Sequence, residues 1–114
     1  GDDARRVAEE ASALLFGKKD PRSLSEETLH ALAREVPSAH VRVSDAPTVL
    51  DLFVRANLVK SKREARRLAD QGGAYVNGER VGAAAAVAEL TRLAGSYLLL
   101  RKGGRDYAVV TLAE

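Results

Sequence analysis

A helix with its own start and stop signals lies at the centre of the basic half of this chain. Ser61 and Glu64 have the spacing of a capping box, in which the serine oxygen accepts from an amide of the first helical turn. The glutamate is expected to reach back to the amide of Ser61 itself. Gly72-Gly73 predicts the end of the helix, because glycine enters the left-handed region without steric cost. The pattern predicts a short helix that begins at Lys62.

A tight hairpin follows this helix directly. Asn77-Gly78 favours a type I′ turn, which requires positive φ at both central residues. The flanking segments 74–76 and 79–81 read as its two strands. The helix, the glycine stop and the hairpin therefore predict one compact unit.

The predicted helix is basic on one side. Ala65, Leu68 and Ala69 fall within one apolar arc at about 100° per residue. The cations on the opposite side are Lys62, Arg63, Arg66 and Arg67. A run of charges is often only the solvated face of a helix, but a solubilising helix normally interleaves Glu and Lys at i, i+4 spacing, and this one does not. The face is therefore a candidate for binding anions.

The distribution of charge supports an anionic partner. The chain has a formal net charge of only +2. Residues 1–40 hold six basic and eight acidic residues, whereas residues 41–114 hold twelve basic and eight acidic ones. The basic half is the expected binding half, and nucleic acid is the expected class of partner.

Composition excludes several classes of protein. Without cysteine the chain can have no disulfide framework and no Cys-based zinc site, which fits a reducing, cytoplasmic setting. No apolar run is long enough to span a membrane, and no signal peptide is visible. A chain that begins Gly1-Asp2-Asp3 and has no methionine is expected to begin with an excised fragment's end or a tag scar rather than a natural N-terminus.

Two helices are predicted before the basic half, and a third at its start. The first spans 4–16 and stops at Gly17, and the second is capped by Ser23 or Ser25 and ends before Pro37. These two are interpreted as a helical hairpin or connector. The third opens at Ser44 or Asp45 with Pro47, and Asn57 ends it. Both phenylalanines, Phe16 and Phe53, are expected in the core.

The remaining pattern is mostly β. Residues 38–43 are expected to be extended, and 97–100 and 107–112 read as strands around a basic turn at 102–106. A short helix is favoured within 87–93. The fold class is thus predicted to be α+β, with two or three helices packed on a short, mostly antiparallel sheet.

Enzyme chemistry finds little support. His30 and His40 have no spacing that resembles a metal site, and adjacent acidic pairs point in different directions along a helix. Gly72-Gly73 and Gly103-Gly104 do not have the strand-loop-helix setting of a phosphate loop. We expect no catalytic residue, no metal and no cofactor in this chain.

Two stretches carry a resemblance to a known family. Residues 58–68, Leu-Val-Lys-Ser-Lys-Arg-Glu-Ala-Arg-Arg-Leu, and residues 71–81, Gln-Gly-Gly-Ala-Tyr-Val-Asn-Gly-Glu-Arg-Val, resemble the RNA-binding fold named after the fourth protein of the small ribosomal subunit. Within it the chain looks most like the C-terminal domain of bacterial tyrosyl-tRNA synthetase, with further pointers in 14–17 and 98–103. Many members have a lysine pair where this chain has Gly104-Arg105.

The resemblance implies a fold, a function and partners. It implies a helical connector and lead-in strand in residues 1–43 and an RNA-binding domain in residues 44–114. The domain would help the parent ligase hold tyrosine tRNA by its long variable arm. The ATP-site signatures of that ligase are missing here, so ATP and Mg²⁺ would belong to the parent catalytic domain. The parent is expected to be a cytoplasmic homodimer, and the fragment a monomer without membrane contact.

The candidate RNA-binding residues combine the basic helix with its neighbours. Phosphate contacts are expected from the cations and from the backbone amides at the helix start. Sugar or base contacts are expected from the polar side chains next to the helix, although Tyr75 is equally consistent with a core position and Asn77 with a role in its turn alone. A second patch is expected at the final turn. The full set is Lys60, Ser61, Lys62, Arg63, Arg66, Arg67, Gln71, Tyr75, Asn77, Lys102 and Arg105.

Two alternatives remain open from the sequence. The same fold occurs beside rRNA pseudouridine synthase domains and in ribosome-associated proteins, where it usually comes first in the chain. The basic face could also meet an acidic protein rather than RNA. Relative affinities for tRNA, rRNA helices and acidic proteins distinguish the three hypotheses.

Overall fold

A computed structural model describes residues 2–45 and 47–114 of the chain. The helices are α1 (Asp2–Leu15), α2 (Glu26–Glu35), α3 (Val49–Arg55) and α4 (Lys62–Asp70). The strands are β1 (Ser38–Arg42), β2 (Ala74–Val76), β3 (Glu79–Arg80), β4 (Tyr97–Lys102) and β5 (Asp106–Ala113). This confirms the α+β class. In the described part of the chain, no helix is long and apolar enough to cross a membrane.

The five strands form one sheet in the order β1-β5-β4-β2-β3. β1 runs parallel to β5, and the other neighbours are antiparallel. The expected mostly antiparallel sheet is therefore confirmed. Residues 77 and 78 form the predicted turn between β2 and β3, with φ of 53° at Asn77 and 86° at Gly78.

Helices cover both faces of this sheet. Side chains alternate along a strand, so Leu98 and Leu100 of β4 point to one face and Leu99 to the other. Leu98 and Leu100 pack with α3 and α4 residues, whereas Leu99 packs with Leu14 and Leu29 of α1 and α2. Each helix pair therefore has its own apolar core.

The predicted ends of α4 are confirmed, with one correction. Ser61 Oγ accepts from the Glu64 amide at 3.1 Å, as expected of the cap. The Glu64 carboxylate, however, accepts from the amide of Lys60 at 3.1 Å, one residue before the expected donor. Gly72 ends the helix with a φ of 77°. The amide of Gly73 donates to the carbonyl of Leu68, which completes a Schellman cap.

The prediction for the start of α3 was wrong. Thr48, and not Ser44 or Asp45, caps the helix: its hydroxyl accepts from the amide of Asp51, and the Asp51 carboxylate accepts from the amide of Thr48. Ser44 and Asp45 lie in a short 3₁₀ turn before it. A Thr-x-x-Asp box satisfies two amides at once, which one serine or aspartate cannot do.

Two further predictions needed correction. Phe53 is buried as expected, but Phe16 lies beyond the end of α1 with 76% of its surface exposed. The segment 87–93 contains only a 3₁₀ turn at Val87–Glu89, and no α-helix.

For α2, Ser25 is the cap, and the helix ends before Pro37 as predicted.

Contacts cross the predicted domain boundary at residue 43. β1 hydrogen-bonds along β5 over five residue pairs from Ser38↔Val109 to Arg42↔Ala113. Leu29 of α2 is completely buried and packs in the same cluster as Val109. The division into residues 1–43 and 44–114 stays a prediction, but α1 and α2 lie against the sheet.

Candidate nucleic-acid interface

The cations of α4 are exposed, and its alanines are buried. Ala65 and Ala69 pack against the core, while Lys62, Arg63, Arg66 and Arg67 all face solvent. The helical periodicity therefore places the charges where the sequence predicted them. Residues 63 and 67 lie one turn apart on one edge of this face, and residues 62 and 66 on the other.

A groove runs along the edge of α4 that carries Arg63 and Arg67. Its volume is about 450 Å³. The lining residues are Val59, Ser61, Arg63, Glu64, Arg67, Leu68, Gln71 and Lys102. Three cations from α4 and β4 thus surround one concave surface. The N-cap residue of α4, Ser61, and its C-cap residue, Gln71, also line this surface. We call this surface the α4 groove.

Lys62 is held away from the α4 groove. Its Nζ lies 2.9 Å from Oδ1 of Asp51 in α3. The hydrogen bond from the Thr48 amide, and secondarily the one from Lys62, lower the pKa of Asp51. Lys62 therefore ties α4 to α3, and its charge is already partly neutralised.

One carboxylate lies in the α4 groove. Glu64 lines it and is half-buried, because its side chain bends back to accept from the Lys60 amide. A negative charge here opposes the binding of phosphate. The amides at the start of α4 act in the other direction, since a helix N-terminus favours anions.

The two cations of the final turn are separated. Lys102 is half-buried and lines the α4 groove, whereas Arg105 is exposed at the tip of the β4–β5 turn. Arg105 borders a different depression, which also contains Glu35 and Asp106. The single second patch expected from the sequence is therefore divided between two places.

Two of the polar candidates lie outside the α4 groove. Asn77 is buried, its side-chain nitrogen donates to the Thr91 carbonyl at 2.7 Å, and its oxygen accepts from the Leu99 amide at 2.9 Å. The side chain of Asn77 therefore joins three segments of the fold. Tyr75 alternates with the buried Val76 and points to the other face of the sheet.

Sequence reasoning missed the surroundings of Tyr75. The Arg101 guanidinium carbon lies 3.9 Å from the centroid of the Tyr75 ring, and that of Arg80 lies 5.9 Å away. Arg80, and to a smaller extent Arg101, lowers the pKa of the Tyr75 hydroxyl. A two-residue turn at 77–78 pairs Tyr75 with Arg80, so this neighbour could have been found from the sequence.

The described residues offer no metal site. Among residues 2–45 and 47–114, no group of three or more His, Asp or Glu residues is arranged to hold a metal ion.

The chemistry that the geometry of the α4 groove favours is electrostatic. An exposed cationic groove with a helix start beside it suits a phosphate backbone.

Comparison with known families gives a match over most of the chain. Residues 28–110 match the family described as the tyrosine–tRNA ligase SYY-like C-terminal domain. A solved structure, the solution structure of a tyrosyl-tRNA synthetase C-terminal domain, superimposes with a TM-score of 0.62 at 30% identity. The superposition covers 83% of this chain and 96% of that one.

Curated relatives agree with this match. The chain is 38% identical over 113 residues to a tyrosine–tRNA ligase of Corynebacterium efficiens, covering 98% of this chain and 27% of the relative. It is 44% identical over 103 residues to that of Streptomyces coelicolor, covering 90% of this chain and 24% of the relative. The chain thus spans about a quarter of the length of these relatives.

Proposed function

The chain belongs to the tyrosine–tRNA ligase SYY-like C-terminal domain family, and from this premise we propose that it binds tRNA through the α4 groove. The specific ligand we propose is tyrosine tRNA, held for a catalytic domain elsewhere in a parent ligase. That domain, and not this chain, would use ATP and Mg²⁺ to attach tyrosine. The parent would act as a cytoplasmic homodimer, with this domain contributing no dimer contact.

The α4 groove is the observation that supports RNA binding most strongly. Arg63, Arg67 and Lys102 line it together, and they come from two elements that are far apart in sequence. Each can neutralise one phosphate and release a counterion, so binding should weaken steeply with salt. Gln71 at the end of α4 adds a neutral hydrogen-bonding group for a sugar or a base edge.

The remaining cations extend this surface. Lys60 and Arg66 are exposed next to the α4 groove and would reach phosphates on either side of it. Arg105 would contact the backbone farther away, at the tip of the β4–β5 turn. Lys62 would contribute less, because Asp51 already binds it. Exposed aromatic side chains are absent from the groove's lining residues, so shape and phosphate contacts would carry the recognition.

Binding to matched RNAs tests this proposal. The chain is titrated with tyrosine tRNA, with the same tRNA whose variable arm has been shortened, and with an rRNA hairpin, each across a salt series. The expected result is tightest binding to the intact tRNA, with a slope of log affinity against log salt that reports several phosphates.

Two results would contradict it. Equal or tighter binding to the rRNA hairpin would favour a ribosome-associated module instead. Binding to none of the three RNAs, together with binding to an acidic protein at the same salt, would favour a protein-interaction module.

A further inference from the structure

A row of alternating arginine and tyrosine side chains crosses the sheet on the face opposite the α4 groove. Arg80 of β3 pairs with Tyr75 of β2, Tyr75 pairs with Arg101 of β4, and Arg101 pairs with Tyr107 of β5. Directly opposed residues in an antiparallel sheet point to the same face. The four side chains are therefore neighbours across four strands.

Arg101 is the ordered centre of this row. Its guanidinium carbon lies 3.9 Å from the centroid of the Tyr75 ring, which is the distance of a stacked cation–π pair. One of its nitrogens, Nη1, also donates to the Gly103 carbonyl at 2.6 Å. The guanidinium is thus fixed in position before any ligand arrives, which lowers the entropic cost of binding to it.

A cavity of about 280 Å³ lies next to Arg101 on this face. It is bounded by the segment after α1, the β2–β3 turn and the β4–β5 turn. Gly17, Lys19, Gly78, Arg101, Gly104 and Tyr107 are among its lining residues. We call this space the three-turn cavity. It is distinct from the α4 groove, with which it shares no lining residue.

The charge of the three-turn cavity suits an anionic ligand. Lys19 and Arg101 contribute two cations, and the described residues that line it include neither Asp nor Glu. The flat side chains of Arg101 and Tyr107 offer stacking surfaces as well. Unpaired RNA bases are recognised in this way, on aromatic rings and guanidinium planes beside a phosphate contact.

Gly104 keeps one wall of the three-turn cavity free of a side chain. A Cβ at Gly104 would meet no protein atom within 4 Å, and Gly104 is not among the glycines with positive φ. Neither packing nor backbone conformation therefore requires a glycine here. In this chain the backbone at Gly104 is therefore open to close approach by a ligand.

We propose that the three-turn cavity binds one unpaired nucleotide of the RNA whose backbone lies in the α4 groove. The base would stack on Arg101 and Tyr107, and its phosphate would meet Lys19. This proposal rests on the proposed function. The two sites lie on opposite faces of the sheet but at the same end of β4, since the adjacent residues Arg101 and Lys102 each line one of them.

Three RNA hairpins of otherwise equal sequence test the proposal by fluorescence anisotropy. One is fully paired, one carries a single bulged nucleotide, and one carries an abasic residue at the bulge. The wild-type chain is expected to bind the bulged hairpin about fivefold or more tightly than the other two. Only the bulged hairpin offers an unpaired base that can stack on a side chain, and such stacking strengthens binding by at least about this factor.

Variants locate the site. Gly104→Leu would fill the three-turn cavity without changing any charge, and it should remove the preference for the bulge while leaving affinity for the paired hairpin unchanged. Gly82→Leu is the matched control, because a Cβ at Gly82 also meets no protein atom and Gly82 lies outside the cavity. Lys19→Gln should reduce the preference for the bulged hairpin without adding bulk to the cavity. Circular dichroism checks that each variant folds.

The outcomes separate this site from the proposed function. Equal binding of wild type to the paired and bulged hairpins would overturn the nucleotide site while leaving RNA binding intact. A preference kept by the abasic hairpin would mean that only a phosphate is bound, and a preference kept by Gly104→Leu would place the site elsewhere, so either would overturn the proposal. Failure to bind any hairpin or tyrosine tRNA would refute the proposed function itself.

Discussion

The Nζ of Lys62 lies 2.9 Å from Oδ1 of Asp51, so the first turn of α4 is tied to the first turn of α3. The same carboxylate accepts from the amide of Thr48 and completes the cap of α3. One side chain thus fixes the start of one helix and the position of the next. Lys62, which the sequence assigned to RNA binding, therefore also has a structural partner within the fold.

Asp51→Asn should lower the free energy of unfolding by about 1 kcal/mol at pH 7, because it weakens the cap and removes the ion pair. The pKa of Asp51 is lowered in the folded state. Its stabilising effect is therefore present above the unfolded pKa, near 3.9, and is lost as the pH falls through the folded pKa. Urea denaturation at pH 7 and at pH 3 should show the difference between variant and wild type shrinking at the lower pH.

Asp45→Asn provides the control for this pH dependence. Asp45 is an exposed carboxylate in the 3₁₀ turn before α3. Its substitution should change stability by less than about 0.5 kcal/mol at both pH values. An Asp51→Asn effect that stayed constant down to pH 3 would contradict the role assigned to the ionised carboxylate.

Glu64→Gln should strengthen RNA binding. The substitution removes the carboxylate from the α4 groove, and glutamine can still accept from the Lys60 amide as a capping residue. We expect roughly twofold to fivefold tighter binding to tyrosine tRNA in low salt, and a smaller gain as salt screens the charge. Glu89→Gln, at an exposed glutamate outside the groove, should leave affinity unchanged. Weaker binding by Glu64→Gln would contradict the assignment of the groove.

Asn77→Ala should destabilise the fold by about 2–4 kcal/mol, because it leaves the Leu99 amide and the Thr91 carbonyl without their partner. Asn57→Ala is the matched control. Asn57 also has positive φ, at 60°, but it is exposed, so its substitution should cost about 1 kcal/mol or less. Thermal unfolding measures both. Similar destabilisation in the two variants would show that φ, and not the buried amide, determines the effect.

Leu14→Ala should destabilise the domain by about 2–5 kcal/mol, even though Leu14 lies in α1 and outside the basic half of the sequence. Leu14 is 1% exposed in the core that α1 and α2 form with the sheet, while its neighbour Leu15 is 41% exposed. Leu15→Ala should therefore change stability by less than about 0.5 kcal/mol. If Leu14→Ala were equally mild, the packing of α1 against the sheet would not contribute to the stability of the domain.

Local signals predicted the basic unit well. Ser61, Gly72 and Asn77-Gly78 have roles set by the backbone geometry of caps and turns, and the structure has them as expected. The start of α3 was mistaken because three nearby residues compete for one cap, and only the reciprocal bonds of Thr48 decide between them.

Features that depend on long-range contacts could not be read from local patterns. Phe16 has a large hydrophobic side chain, yet it follows the last residue of α1 and is exposed, whereas Leu14, two residues earlier, is buried against the sheet. The separation of Lys102 from Arg105 depends on where the β4–β5 turn lies relative to α4. The position of Arg101 follows from strand register, which the sequence indicates only once the sheet order is known.

The dependence of RNA affinity on salt for an Arg63→Gln, Arg67→Gln double variant tests the central claim most directly. Both arginines line the α4 groove and are exposed, so the fold should not change. With tyrosine tRNA, the slope of log affinity against log salt should fall by about 0.7–0.9 for each phosphate that the variant no longer neutralises, and affinity in low salt should fall as well.

An Arg5→Gln, Arg34→Gln variant provides the matched control, because it removes the same charge from exposed positions on α1 and α2. Its slope should equal that of the wild type. An unchanged slope in the Arg63, Arg67 variant, or an equal change in the control, would contradict the assignment of RNA binding to the α4 groove.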